Sequence, residues 1–91
     1  MNESDDTRRF SPGDIYEDCA FHPILCVSVD YEEDSIRGIS LVDGSHPHDC
    51  SLVHCGIRRL TPQEAWEIRL RGPSHESDRE LVEADRRWWT E

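Results

Sequence analysis

The chain has no lysine: all ten of its bases are arginine, set against twenty acids, for a formal net charge of −10 over 91 residues. So negative a net charge argues against direct binding to nucleic acid or to an anionic membrane, both of which need a cationic surface. It also lacks any apolar run near the roughly 18 residues of a membrane span. Its first ten residues hold no apolar core of the signal-peptide kind. A cytoplasmic location is expected, where cysteines are reduced or metal-bound rather than disulfide-linked. Further absences bear on chemistry: there is no glycine-rich phosphate cradle, no serine nucleophile elbow, and none of the paired Cys-x2-Cys knuckles that mark many zinc domains.

What is present is the punctuation of a small β-rich domain. Residues 1–9 are polar and without period, and read as a disordered arm. A turn at Phe10, Ser11, Pro12, Gly13 and Asp14 leads to a short first strand over residues 14–18. Residues 24–31 form the clearest strand, with Leu25, Val27, Val29 and Tyr31 alternating against Ile24, Cys26, Ser28 and Asp30; the first set is expected to face the core. An acidic hairpin tip, Glu32, Glu33 and Asp34, leads to a third strand over residues 35–42. That strand has apolar residues on both faces, so it is either buried on both sides or bent by a bulge at Gly38. Asp43 and Gly44 end it, and a fourth strand is expected over residues 51–57. Thr61, Pro62 and Glu64 then spell a capping box with proline at the first helical position, opening a helix that runs to Arg71 and stops at Gly72-Pro73. A second capping pattern at Ser77 and Glu80 predicts another helix over residues 78–89.

Four short strands and a helix, too short for a sandwich and without βαβ alternation, point to a small antiparallel meander curled into a four- to five-stranded barrel, followed by two short helices. The domain division is a disordered arm (1–9), a small β-barrel with the first helix (10–72), and a linker with the C-terminal helix (73–91). The turn Phe10-x-Pro12-Gly13-Asp14 followed by a strand resembles the opening of SH3-like small barrels. Residues 12–65 as a whole resemble short bacterial proteins of unassigned function, a likeness that implies no activity.

In an up-and-down meander the loops after strands one and three leave the same end of the sheet. Asp18, Cys19 and His22 are therefore expected beside His46, His48, Asp49 and Cys50, with the acidic tip at the far end. The best set of four for a structural zinc is Cys19, His22, His48 and Cys50, since zinc takes four thiolate or imidazole ligands in a tetrahedron. The alternatives are a disulfide, or that Cys26 and Cys55 are small core residues while Cys19 and Cys50 are reduced loop thiols and the histidines surface polar groups. A Cys–His nucleophile is disfavoured, because Asp18, Asp43 and Asp49 surround the thiols where a thiolate needs positive charge. No enzyme activity is expected, and no cofactor other than that zinc.

Nine acids face Arg37 alone between residues 12 and 57, whereas Arg58, Arg59, Arg69 and Arg71 gather around the first helix. At the C-terminus Trp88 and Trp89 lie beside Arg86 and Arg87; tryptophan and arginine are enriched at interface hot spots, so these four are the candidate partner-binding residues. On the predicted helix the two rings point about 100° apart, so one is expected to dock on the domain and the other to remain available. The function expected is a non-catalytic, acidic protein-interaction module of bacterial or phage type, with a protein partner or a second copy of itself. The alternatives are a zinc-stabilised regulatory domain and an acidic mimic of nucleic acid that inhibits a nucleic-acid-binding protein.

Overall fold

The computed structural model describes residues 10–53 and 57–90. Wherever β-branched or aromatic residues run between turn residues, a strand forms: β1 (Ile15–Glu17), β2 (Pro23–Asp30) and β3 (Ser35–Ser40). Two further strands, β4 (His48–Ser51) and β5 (Arg58–Leu60), complete an antiparallel sheet in the order β4-β3-β2-β1-β5. Helices α1 (Pro62–Arg71) and α2 (Glu76–Leu81) follow, then a single 3₁₀ turn at Ala84–Arg86.

The meander is as expected, but the sheet stays open instead of closing into a barrel. Among the described residues β4 pairs only with β3, and β5 only with β1. Edge strands of four and three residues offer few ladder positions with which to close a cylinder. The fourth strand also lies earlier than its predicted place at residues 51–57. His48, Asp49, Cys50 and Ser51 have little intrinsic preference for a strand, yet they pair in register with Gly38, Arg37, Ile36 and Ser35. A cross-strand ion pair between Arg37 and Asp49, 3.0 Å, accompanies that register. Leu52 and Val53 then turn away, and His54, Cys55 and Gly56 lie outside the described residues, as does the arm expected at residues 1–9.

Ahead of its midpoint the face assignment of β2 is reversed from the simple alternation, although Val29 packs against the core as expected. Ile24 and Cys26 are buried, whereas Val27 is 39% exposed and Leu25 only partly covered. The cause is a bulge: Cys26 pairs with Gly38 and Ser28 with Arg37, so Val27 is an extra residue without an opposite number. After the bulge the alternation shifts by one, and Val29 joins the core that Ile24 and Cys26 began. The irregularity expected on β3 at Gly38 therefore belongs to β2, directly opposite.

Both faces of the sheet are covered. One carries Phe10, Tyr16, Ile24, Cys26, Ile36 and Cys50; on the other, Ala65 and Ile68 of α1 pack with Leu60, supported by Ile15, Leu41 and Trp88. Helix α1 starts and stops as predicted. The Thr61 hydroxyl accepts from the Glu64 amide at 3.1 Å, Glu64 accepts from the Thr61 amide at 2.8 Å, and Gly72 closes the C-terminus with φ 86°. The second helix does not run to residue 89. It begins at Glu76, ends at Leu81 and buries none of its residues. With Asp85 interrupting the stripe of Leu81 and Trp88, a longer helix would have had almost no apolar face to bury. The chain instead folds back, and the Trp88 indole N–H donates to the Ile68 carbonyl at 3.0 Å.

Candidate functional site

The end of the sheet opposite the acidic tip is built on Asp18. Its side chain is nearly buried; Oδ1 accepts from the Ala20 and His22 amides, both at 3.0 Å, and so folds the loop after β1 back on itself. Phe21 takes the left-handed conformation there, with φ 67°. Across the rim, Asp43 accepts from the Ser45 amide at 2.9 Å and from the Ser45 hydroxyl at 2.7 Å, which turns the chain from β3 toward β4.

These two loops bring together the four residues considered for zinc. His48 Nδ1 lies 3.1 Å from Asp18 Oδ2 and Nε2 lies 2.6 Å from the Ser45 hydroxyl. His22 Nδ1 is 2.9 Å from the Ser40 hydroxyl, and the two imidazole rings stand 5.4 Å apart between centroids. The Cys19 and Cys50 sulfurs are 3.6 Å apart. Both nitrogens of His48 and Nδ1 of His22 are thus turned toward oxygen partners. Among the described residues no group of three or more histidine, cysteine or carboxylate side chains is arranged to hold a metal ion. His46 is exposed and Asp49 is held by Arg37.

Beside this rim lies an open hollow of about 530 Å³, lined among others by Cys19, Phe21, His22, Val82, Arg86 and Trp88. The Trp88 ring meets His22 edge to face, 4.6 Å between centroids. Burial lowers the pKa of His22 from 6.5; the Asp18 charge opposes that shift and His48 adds to it. Glu17, one residue before Asp18, is shifted the other way: burial raises its pKa although Arg58 works against the rise.

A histidine whose folded pKa is depressed binds its proton more readily in the unfolded chain, so it contributes stability that is lost as pH falls below 6.5. Glu17, with a raised folded pKa, works in the opposite sense from 4.5 upward, so the wild-type curve alone does not isolate His22. We expect the melting temperature of His22→Gln to fall less than that of the wild type on acidification from neutrality. Parallel curves would show that His22 does not carry this sensitivity.

The tail residues expected to meet a partner serve the fold first. Trp88 is partly buried against α1, and Trp89 lies over Gly72, with its ring 5.0 Å from Trp88. Arg87 sits 5.6 Å from the Trp89 ring and donates to the Val82 carbonyl at 3.2 Å, whereas Arg86 faces the hollow. Both indoles are thus partly covered and partly exposed. The tryptophan that does stand in solvent is Trp66, 57% exposed, with Leu70 also exposed one turn further along α1. Helical spacing held that signal: Trp66 and Leu70 are about 40° apart on the wheel, while Ile68 is about 160° from each direction set by Trp66 and Leu70. Comparison with family models, with curated proteins and with solved structures finds no match for this chain, so the reading of this rim rests on its own geometry.

Proposed function

We propose that the protein is a non-catalytic, acidic protein-interaction module that takes a basic partner, on a scaffold of SH3-like kind in which β5 returns beside β1. The observation that carries this reading is the direction in which the arginines spend their charge. Arg37, Arg58, Arg59 and Arg71 pair with Asp49, Glu17, Asp14 and Glu67, at 3.0, 3.2, 2.9 and 3.2 Å. Arg69, Arg79 and Arg87 donate to the carbonyls of Leu41, Pro73 and Val82. The hairpin tip is left acidic: Glu32, Glu33 and Asp34 are exposed, and no arginine among the described residues forms an ion pair with them. A concentrated, solvent-facing negative patch of this kind steers and orients a cationic partner.

The tip can be neutralised without disturbing its turn. Asp30 holds that turn by accepting from the Glu32 and Glu33 amides, at 3.1 and 3.2 Å, and stays in place. Asp34, with φ 54°, is replaced by asparagine, which tolerates the left-handed region. An arginine octapeptide titrated by calorimetry is expected to bind about tenfold more weakly when salt is raised from about 50 to about 200 mM. The triple variant Glu32→Gln, Glu33→Gln, Asp34→Asn is expected to lose several-fold in affinity at low salt with its melting temperature unmoved. Binding that ignores salt, or a triple variant that binds as the wild type does, would overturn the proposal.

A further inference from the structure

We propose that Cys19 and Cys50 are a reversible thiol pair, oxidised to a disulfide by exchange with a low-molecular-weight disulfide, which staples the loop after β1 to the edge strand β4. The two residues are 31 apart in sequence, and the meander brings their sulfurs to 3.6 Å, contact distance for two thiols. A bond of about 2.05 Å needs a further approach of about 1.5 Å. Cys50 is fixed: it is 6% exposed, and its backbone pairs with Ile36 in the ladder. Cys19 is exposed, sits in a turn and lines the open hollow, so it is the sulfur that a reagent meets first and the one with room to move. Asp43, Glu83 and Arg86 line the same hollow, so a small disulfide meets charges of both signs there. Cys26 is set apart, buried in the core with its thiol directed to the Ser28 carbonyl at 3.8 Å.

The exchange balances in two steps. The Cys19 thiolate attacks one sulfur of the small disulfide, forming a mixed disulfide and releasing one small thiolate. The Cys50 thiolate then attacks Cys19 Sγ, expelling the second small thiolate. The two protons given up by the protein thiols end on the two small thiols. The oxidant is thus the small disulfide, and excess small thiol reverses the reaction. The closed form holds the loop that carries His22, part of the hollow's lining, against β4.

The test uses the full chain and oxidised glutathione. We expect the wild type to lose two hydrogens in mass, with peptide mapping linking Cys19 to Cys50, and to melt about 10 °C higher than the reduced protein. Cys50→Ser should stop at the mixed disulfide on Cys19, and Cys19→Ser should leave Cys50 largely unmodified. Because Cys19 is exposed, Cys19→Ser should fold normally, which keeps the comparison valid if Cys50→Ser does not. A linkage through Cys26 or Cys55, a wild type that stops at the mixed disulfide, or thiols that resist exchange because the protein carries an equivalent of zinc would each overturn the proposal.

Discussion

Gly38→Ala is expected to cost the protein about 3 kcal/mol or more, enough to lower its melting temperature by roughly 15 °C. Gly38 is buried in the middle of β3, opposite Cys26 on one side and His48 on the other. A β-carbon there would lie 2.6 Å from Ile24 Cγ2 and 2.9 Å from the carbonyl carbon of Leu25, and would press harder still on the Leu25 oxygen. Side chains can rotate out of the way, but the carbonyl is held in the β2 backbone next to the bulge, so the strands would have to part. Gly44→Ala is the comparison. It meets no atom within 4 Å, and its penalty comes from φ 77° alone, about 1 kcal/mol. Urea denaturation of both variants separates the two causes. If Gly38→Ala costs no more than Gly44→Ala, close packing of β2 on β3 is not what the glycine serves.

That site also shows where the sequence was legible and where it was not. The capping box at Thr61 and Glu64 could be read directly, because a cap is a local bargain between a side chain and amides three residues away. The meander was legible too, and with it the meeting of Cys19 and His22 with His48 and Cys50, since an up-and-down topology fixes which loops share an end. The bulge at Val27 was not. It depends on which residues of β3 stand opposite, and it reversed the expected core from Leu25 and Val27 to Ile24 and Cys26. Strand β4 escaped for the same reason: its residues pair because Ile36 and Arg37 face them, not because they favour a strand. The tail failed differently. Its spacing allowed a helix, but a six-residue helix without a buried face has little to extend it, and the alternative of laying Trp88 on α1 is visible only once α1 is in place.

That docking gives the second large effect. Trp88→Ala is expected to lose about 2–3 kcal/mol, below the range for a fully buried tryptophan because the ring is only partly covered. The ring closes the cluster of Leu60, Ala65 and Ile68, and its N–H reaches the Ile68 carbonyl, which also accepts from the Gly72 amide at 2.7 Å. Trp88→Phe keeps most of the apolar contact and gives up the hydrogen bond, so a loss of about 1 kcal/mol is expected. Trp89→Ala removes a ring that lies on Gly72, where a β-carbon would come within 2.6 Å of the indole, and uncovers the end of α1 for a further loss of about 1 kcal/mol. The order Trp88→Ala, then Trp88→Phe and Trp89→Ala, read by urea denaturation and near-ultraviolet circular dichroism, makes the tail a strap that closes the second core. Should Trp88→Ala unfold at the wild-type urea concentration, the strap is not part of the stable fold, and the two indoles return to being candidates for a partner's surface.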